Sequence, residues 1–78
     1  MQVIVLDNDV GGRSVVDVAD NATVGLVFSE AKPNAKFADY KVTLNRSPAG
    51  EHQKLKDALI DGVTELCVCI TPTKIEGA

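Results

Sequence analysis

Asp20-Asn21-Ala22-Thr23-Val24-Gly25-Leu26-Val27-Phe28-Ser29-Glu30-Ala31 is the stretch that decides the architecture. Asp20-Asn21-Ala22-Thr23 offers a helix start, and Thr23 is the best N-cap because its hydroxyl can accept from the first free N–H groups. Val24, Val27, Phe28 and Ala31 follow at i, i+3, i+4 and i+7, which places one apolar stripe along a helix. Gly25 weakens that helix and is expected to permit close packing on a sheet. Pro33-Asn34 ends it.

Upstream, Gln2-Val3-Ile4-Val5-Leu6 reads as a buried strand through its β-branched run. Asp7-Asn8-Asp9-Val10-Gly11-Gly12-Arg13 is a turn cluster with glycines free to take positive φ. Strand character resumes over residues 14–18, giving an antiparallel hairpin with a fairly long loop. Downstream, Tyr40, Val42 and Leu44 alternate with polar residues and are expected to face inward. Asn45-Arg46 is a tight turn, and Ser47-Pro48-Ala49-Gly50 continues as irregular chain. Residues 51–59 hold a short helix or a wrapped loop, with Leu55 and Leu59 as core anchors. Asp61-Gly62 is a turn signal, and residues 65–71 form the last strand with Leu66, Val68 and Ile70 on one face.

At 78 residues the chain is one small domain whose core is thin. An apolar fraction of 45% argues against disorder. Phe28, Phe37 and Tyr40 are the aromatics, so the core must be aliphatic. Net charge is −3, with no Lys or Arg cluster, which argues against nucleic acid as the main ligand. With no twenty-residue apolar run and Met1 leading straight into strand-like sequence, no membrane partner is expected. The expected setting is cytoplasmic, or a virion assembled there.

The order strand, strand, helix, strand, turn, short segment, strand resembles the β-grasp fold of ubiquitin and the bacterial sulfur carriers. The resemblance rests on residues 18–27, on Val42-Thr43-Leu44-Asn45, and on Leu59-Ile60-Asp61-Gly62-Val63 before the last strand. It implies an α+β domain over residues 1–72, a mixed sheet of about four to five strands packed on one helix, and a tail over residues 73–78. Carriers and modifiers of this type end in Gly-Gly, and a partner enzyme adenylates the terminal carboxylate with ATP. Gly77 matches the penultimate glycine, while Ala78 stands in place of the terminal one. The added methyl lies beside the reacting carboxyl carbon, where the resemblance implies that side chains would clash.

The tail Thr73-Lys74-Ile75-Glu76-Gly77-Ala78 therefore reads as a partner-binding arm, with Ile75 as its apolar anchor. The other readings are a frayed end and a chemical handle. Cys67 and Cys69 form C-x-C within one strand, on the face opposite Leu66, Val68 and Ile70. Alternate Cα atoms of a strand lie about 6.6 Å apart with parallel side chains, which is poor geometry for a disulfide. Two thiols are too few for a closed zinc site. They are expected to be small buried hydrophobes, in preference to a redox or metal role, with a redox or intermolecular contact open to them if that face is exposed.

Asp7-x-Asp9-x-x-Gly12 matches a calcium loop only in part, lacking the third ligand and the bidentate Glu, so it reads as a solvated hairpin tip. Ser14, Ser29 and Ser47 have no His and acid at a telling spacing, and His52 reads as a surface residue. No catalytic residue, metal or cofactor is expected, and the chain is not expected to be an enzyme. The function expected is a non-catalytic interaction or assembly module, in a homo- or hetero-oligomer such as a structural component of a phage particle. The alternative is a sulfur carrier or modifier activated at Ala78.

Overall fold

The computed structural model describes residues 1–60 and 62–73. The described residues form five strands and one α-helix: β1 (Gln2–Asp7), β2 (Gly12–Asp17), α1 (Val24–Ala31), β3 (Tyr40–Leu44), β4 (Ser47–Pro48) and β5 (Leu66–Pro72). Short 3₁₀ turns span Phe37–Asp39 and Leu55–Ala58. The sheet order is β2-β1-β5-β3-β4, with β1 and β5 parallel at its centre and the other pairs antiparallel. This is the expected mixed sheet packed on one helix.

Alternation along each strand divides the sheet into two faces. Val3 and Val5 of β1, Val42 and Leu44 of β3, and Leu66, Val68 and Ile70 of β5 are buried against Val24, Val27 and Phe28 of α1. Phe28 is the one aromatic residue in that buried set, as a chain poor in aromatics requires. Phe37 meets it edge-on at 5.3 Å between ring centroids, and Tyr40 at 5.4 Å, closing one end of the core.

The helix start follows the sequence reading, with Thr23 Oγ1 accepting from Leu26 N at 3.3 Å. Its other free donors go to a distant segment: Val24 N to Gln53 O at 2.9 Å, and Gly25 N to Glu51 O at 2.8 Å. Leu55 N returns a bond to Ala22 O at 3.1 Å. Gly25 therefore serves the 51–55 segment and not the sheet, which corrects the expected packing. Leu55 is fully buried within that segment, whereas Leu59 is 38% exposed and is not a core anchor. The reason is that Leu55 enters a 3₁₀ turn stitched under the helix start, and the chain has left the core by residue 59.

Two other boundaries differ from the reading. β2 begins at Gly12, opposite Asp7, because positive φ at Gly11 turns the chain early and leaves a loop of residues 8–11. Ser47 and Pro48 form a short strand and not irregular chain. Asn45 and Arg46 both take positive φ, the signature of a tight hairpin turn, so Ser47 lands opposite Leu44 and Pro48 opposite Thr43. Pro48 is tolerated because β4 is an edge strand.

Candidate interaction surface

The sheet face opposite α1 is built by the alternate residues. Across the strands, Val15, Ile4 and Cys67 form one row, and Arg13, Leu6, Cys69, Thr43 and Pro48 form the next. Val15 is 56% exposed, while Ile4, Leu6, Cys67, Cys69 and Thr43 are half-buried by their neighbours alone. No helix is packed on this face among the described residues. An open groove of about 460 Å³ runs along it, lined by Ile4, Arg13, Val15, Leu59 and Glu65 among others. Leu59 brings its loop to that groove, and in the same loop Ile60 is 60% exposed.

A second depression of about 420 Å³ lies further along the face, lined by Leu6, Thr43, Asn45, Arg46, Glu65, Cys67 and Cys69. Asn45 is held there by Cys67 N, which donates to its Oδ1 at 2.8 Å, and by its own Nδ2, which donates to Glu65 O at 3.2 Å. The two thiols are thus half-exposed on the outer face, which corrects their expected role as buried hydrophobes. The sequence placed them correctly opposite Leu66, Val68 and Ile70, but it left open which face the helix covers. Burial pushes the Cys67 thiol up, and the nearby charge of Cys69 adds to this against the opposing pull of Arg13 and Arg46.

The hairpin tip is more than a solvated loop. Lys32, the C-cap of α1, reaches it and pairs with Asp7 and Asp9, each at 3.1 Å. Tyr40 donates its hydroxyl to Asp9 at 3.2 Å and lies beneath the Lys32 ammonium, 5.2 Å from ring centroid to nitrogen. The two carboxylates therefore hold an internal ammonium, in the place where a calcium loop would hold its ion. His52 is exposed beside Glu51, and Ser14, Ser29 and Ser47 are exposed. No group of three or more His, Cys, Asp or Glu is gathered to hold a metal among the described residues.

Of the proposed arm, Thr73 is placed: its N and Oγ1 both donate to Asp39 O, at 3.1 and 2.9 Å. Lys74, Ile75, Glu76, Gly77 and Ala78 lie outside the described residues, as does Asp61 of the expected turn. Gly62 beside it has φ +84°, consistent with a turn there. Val15, Ile4, Leu59 and Ile60 were not singled out from the sequence as surface residues. The available signal was that Val15 alternates with Val16 along a strand, so one of the two must point away from the core.

No family model matches the chain, and no curated protein matches it. Among solved structures, it is similar to a ubiquitin-like protein from the hyperthermophilic archaea Caldiarchaeum subterraneum. The TM-score is 0.62 at 19% identity, over 96% of this chain and 99% of that one. The fold is a ubiquitin-like β-grasp. Within that β-grasp, β5 sits between β1 and β3, so its outward residues Cys67 and Cys69 lie near the middle of the open face. No helix of the described residues is long and apolar enough to cross a membrane.

Proposed function

We propose that this chain is a non-catalytic protein-interaction module whose outer sheet face, with Leu59 and Ile60 beside it in the chain, docks a partner protein. The observation that carries this reading is the groove lined by Val15, Ile4 and Leu59, of which Val15 and Leu59 are exposed. Burying such side chains contributes roughly 25 cal/mol for each Å² removed from water, and a partner supplies that burial. Arg13 and Glu65 line the same groove and give it a polar rim that sets orientation. The finer form of the proposal is assembly into a homo- or hetero-oligomer, a virion component among the possible settings, with residues 73–78 as a contact arm. The rival reading, a sulfur carrier or modifier activated at Ala78, has the resemblance at Gly77 as its support.

The test is partner capture by the full chain, alongside Val15→Asp and Ile60→Asp variants whose melting temperature matches the parent. The expected result is a partner retained by the parent and lost by both variants. Equal retention by all three rules out this face. Incubation with an adenylating enzyme and ATP, read by intact mass, tests the rival: an adenylate or thiocarboxylate on Ala78 would establish it.

A further inference from the structure

We infer that β2 is a dimerisation edge, on which β2 of a second copy of this chain pairs antiparallel about Val15 and joins two five-stranded sheets into one. Resting on the homo-oligomeric form of the reading above, the inference names the partner and moves the contact from the groove to the sheet edge. β2 and β4 are the two edges of the sheet. β4 is two residues long and Pro48 has no N–H, so that edge is blunted. β2 is six residues long, holds no proline, and is exposed apart from half-buried Val16. It is the open edge.

The hydrogen-bond phase of the hairpin decides which backbone groups that edge offers. Val18 N donates to Met1 O at 2.9 Å and the Met1 ammonium donates to Val18 O at 2.6 Å, so these residues form a hydrogen-bonded pair. Such pairs alternate with non-bonded ones along an antiparallel ladder. By the register, Val16 with Val3, Ser14 with Val5 and Gly12 with Asp7 are the bonded pairs that follow. The N–H and C=O groups of Arg13, Val15 and Asp17 therefore point away from β1, and they have no backbone partner among the described residues. A second strand must match that phase. With Val15 opposite Val15 of the second copy, each Val15 N–H meets the other's C=O, and Arg13 and Asp17 exchange bonds in the same way.

The side chains select the same register. Arg13, Val15 and Asp17 alternate onto the outer face, opposite Leu6, Ile4 and Gln2 of β1. Pairing about Val15 sets Arg13 against Asp17 of the second copy, and Asp17 against its Arg13, on either side of an apolar Val15 pair. Opposite charges directly across two strands attract, and like charges repel. A parallel pairing in register would set Arg13 against Arg13. An antiparallel pairing centred on Ser14 or Val16 keeps the hydrogen-bond phase but sets a charge against Val15. Arg13 makes no ion pair among the described residues. Asp17 lies 3.3 Å from the Met1 ammonium, yet its side chain is 79% exposed and open to a guanidinium. The edge is its own complement, as the contact of a two-fold dimer requires. Pairing uses up β2 in each copy, so the contact closes at two chains.

The experiment is sedimentation equilibrium of the full chain over rising concentration, with amide hydrogen exchange read by NMR. The expected result is a monomer–dimer equilibrium in which the amides of Arg13, Val15 and Asp17 gain protection with concentration, while those of Ser14 and Val16 are protected throughout. Arg13→Asp and Asp17→Arg each put like charges at both ends of the contact and should weaken dimerisation by about tenfold or more. An equimolar mixture of these two variants brings opposite charges back together and should dimerise like the parent. A chain still monomeric at about 1 mM, where little binding free energy is left, would overturn the edge. So would species larger than a dimer, protection gained elsewhere, or a mixture no tighter than its components. The exchange pattern of the parent needs no substitution, so it decides the matter even where a variant misfolds. Ile60→Asp separates the edge from the groove: the dimer should persist in that variant while partner capture is lost. Loss of the dimer in Ile60→Asp would place the self-contact away from β2.

Discussion

Gly25 lies directly against Glu51: its N–H donates to the Glu51 carbonyl at 2.8 Å, and a Cβ at position 25 would stand 2.7 Å from that same oxygen. Alanine normally stabilises a helix interior over glycine by about 1 kcal/mol. Here the methyl would push away the backbone that satisfies the donors of Val24 and Gly25, each bond contributing about 1 kcal/mol. Gly25→Ala is expected to destabilise the fold by about 1 kcal/mol net, measured by urea denaturation. A more stable variant would show that the 51–55 segment yields freely.

Leu55 and Leu59 separate two environments four residues apart. Leu55→Ala should cost about 2–4 kcal/mol, since a fully buried side chain leaves a cavity. Leu59→Ala, on the exposed loop, should cost less than about 1 kcal/mol. The same denaturation curves decide it, and comparable losses would place Leu59 in the core.

At the β3–β4 turn, Asn45 accepts from Cys67 N and donates to Glu65 O while holding φ +49°. Asn45→Ala removes both bonds and places alanine at positive φ, for an expected loss of about 2 kcal/mol. Arg46, at φ +73°, is strained as a non-glycine residue. Arg46→Gly should stabilise the fold by a few tenths to about 1 kcal/mol, the turn relief outweighing the added freedom of the unfolded chain.

The pairing of Lys32 with the hairpin tip predicts two pH limbs. Hydrogen bonds from Lys32 and then Tyr40 hold the Asp9 carboxyl below its ordinary value of 3.8. A depressed acid stabilises the fold above its unfolded value, and that contribution is lost as pH falls through the folded one. Burial alone would lower Lys32, but its hydrogen bonds to Asp7 and Asp9 outweigh this and raise it above 10.5. That contribution is complete below 10.5 and lost as pH rises through the folded value. Melting temperature against pH should show a larger gap between parent and Asp9→Asn at pH 7 than at pH 3. A gap independent of pH would remove Asp9 from the ion pair.

Local chemistry is what the sequence by itself determined. A capping hydroxyl at Thr23 and an apolar stripe through Val24, Val27 and Phe28 specify a helix with no help from distant residues. Alternation likewise puts Leu66, Val68 and Ile70 on one face and Cys67 and Cys69 on the other, because a strand's side-chain period is two. Only the tertiary structure decided what each face meets. Leu55 and Leu59 carry the same side chain, and burial of one follows from its bond to Ala22, thirty-three positions earlier in the chain. Gly25 reads as a weak helix residue until Glu51 is brought against it, and the two acids of the hairpin tip read as solvated until Lys32 arrives between them. Of the outer surface only Cys67 and Cys69 were legible in the sequence, and only as the face opposite Leu66, Val68 and Ile70. Whether Cys67, Cys69, Val15 and Ile4 face water depends on which side of the sheet α1 covers, and that choice rests on long-range packing that no local period encodes.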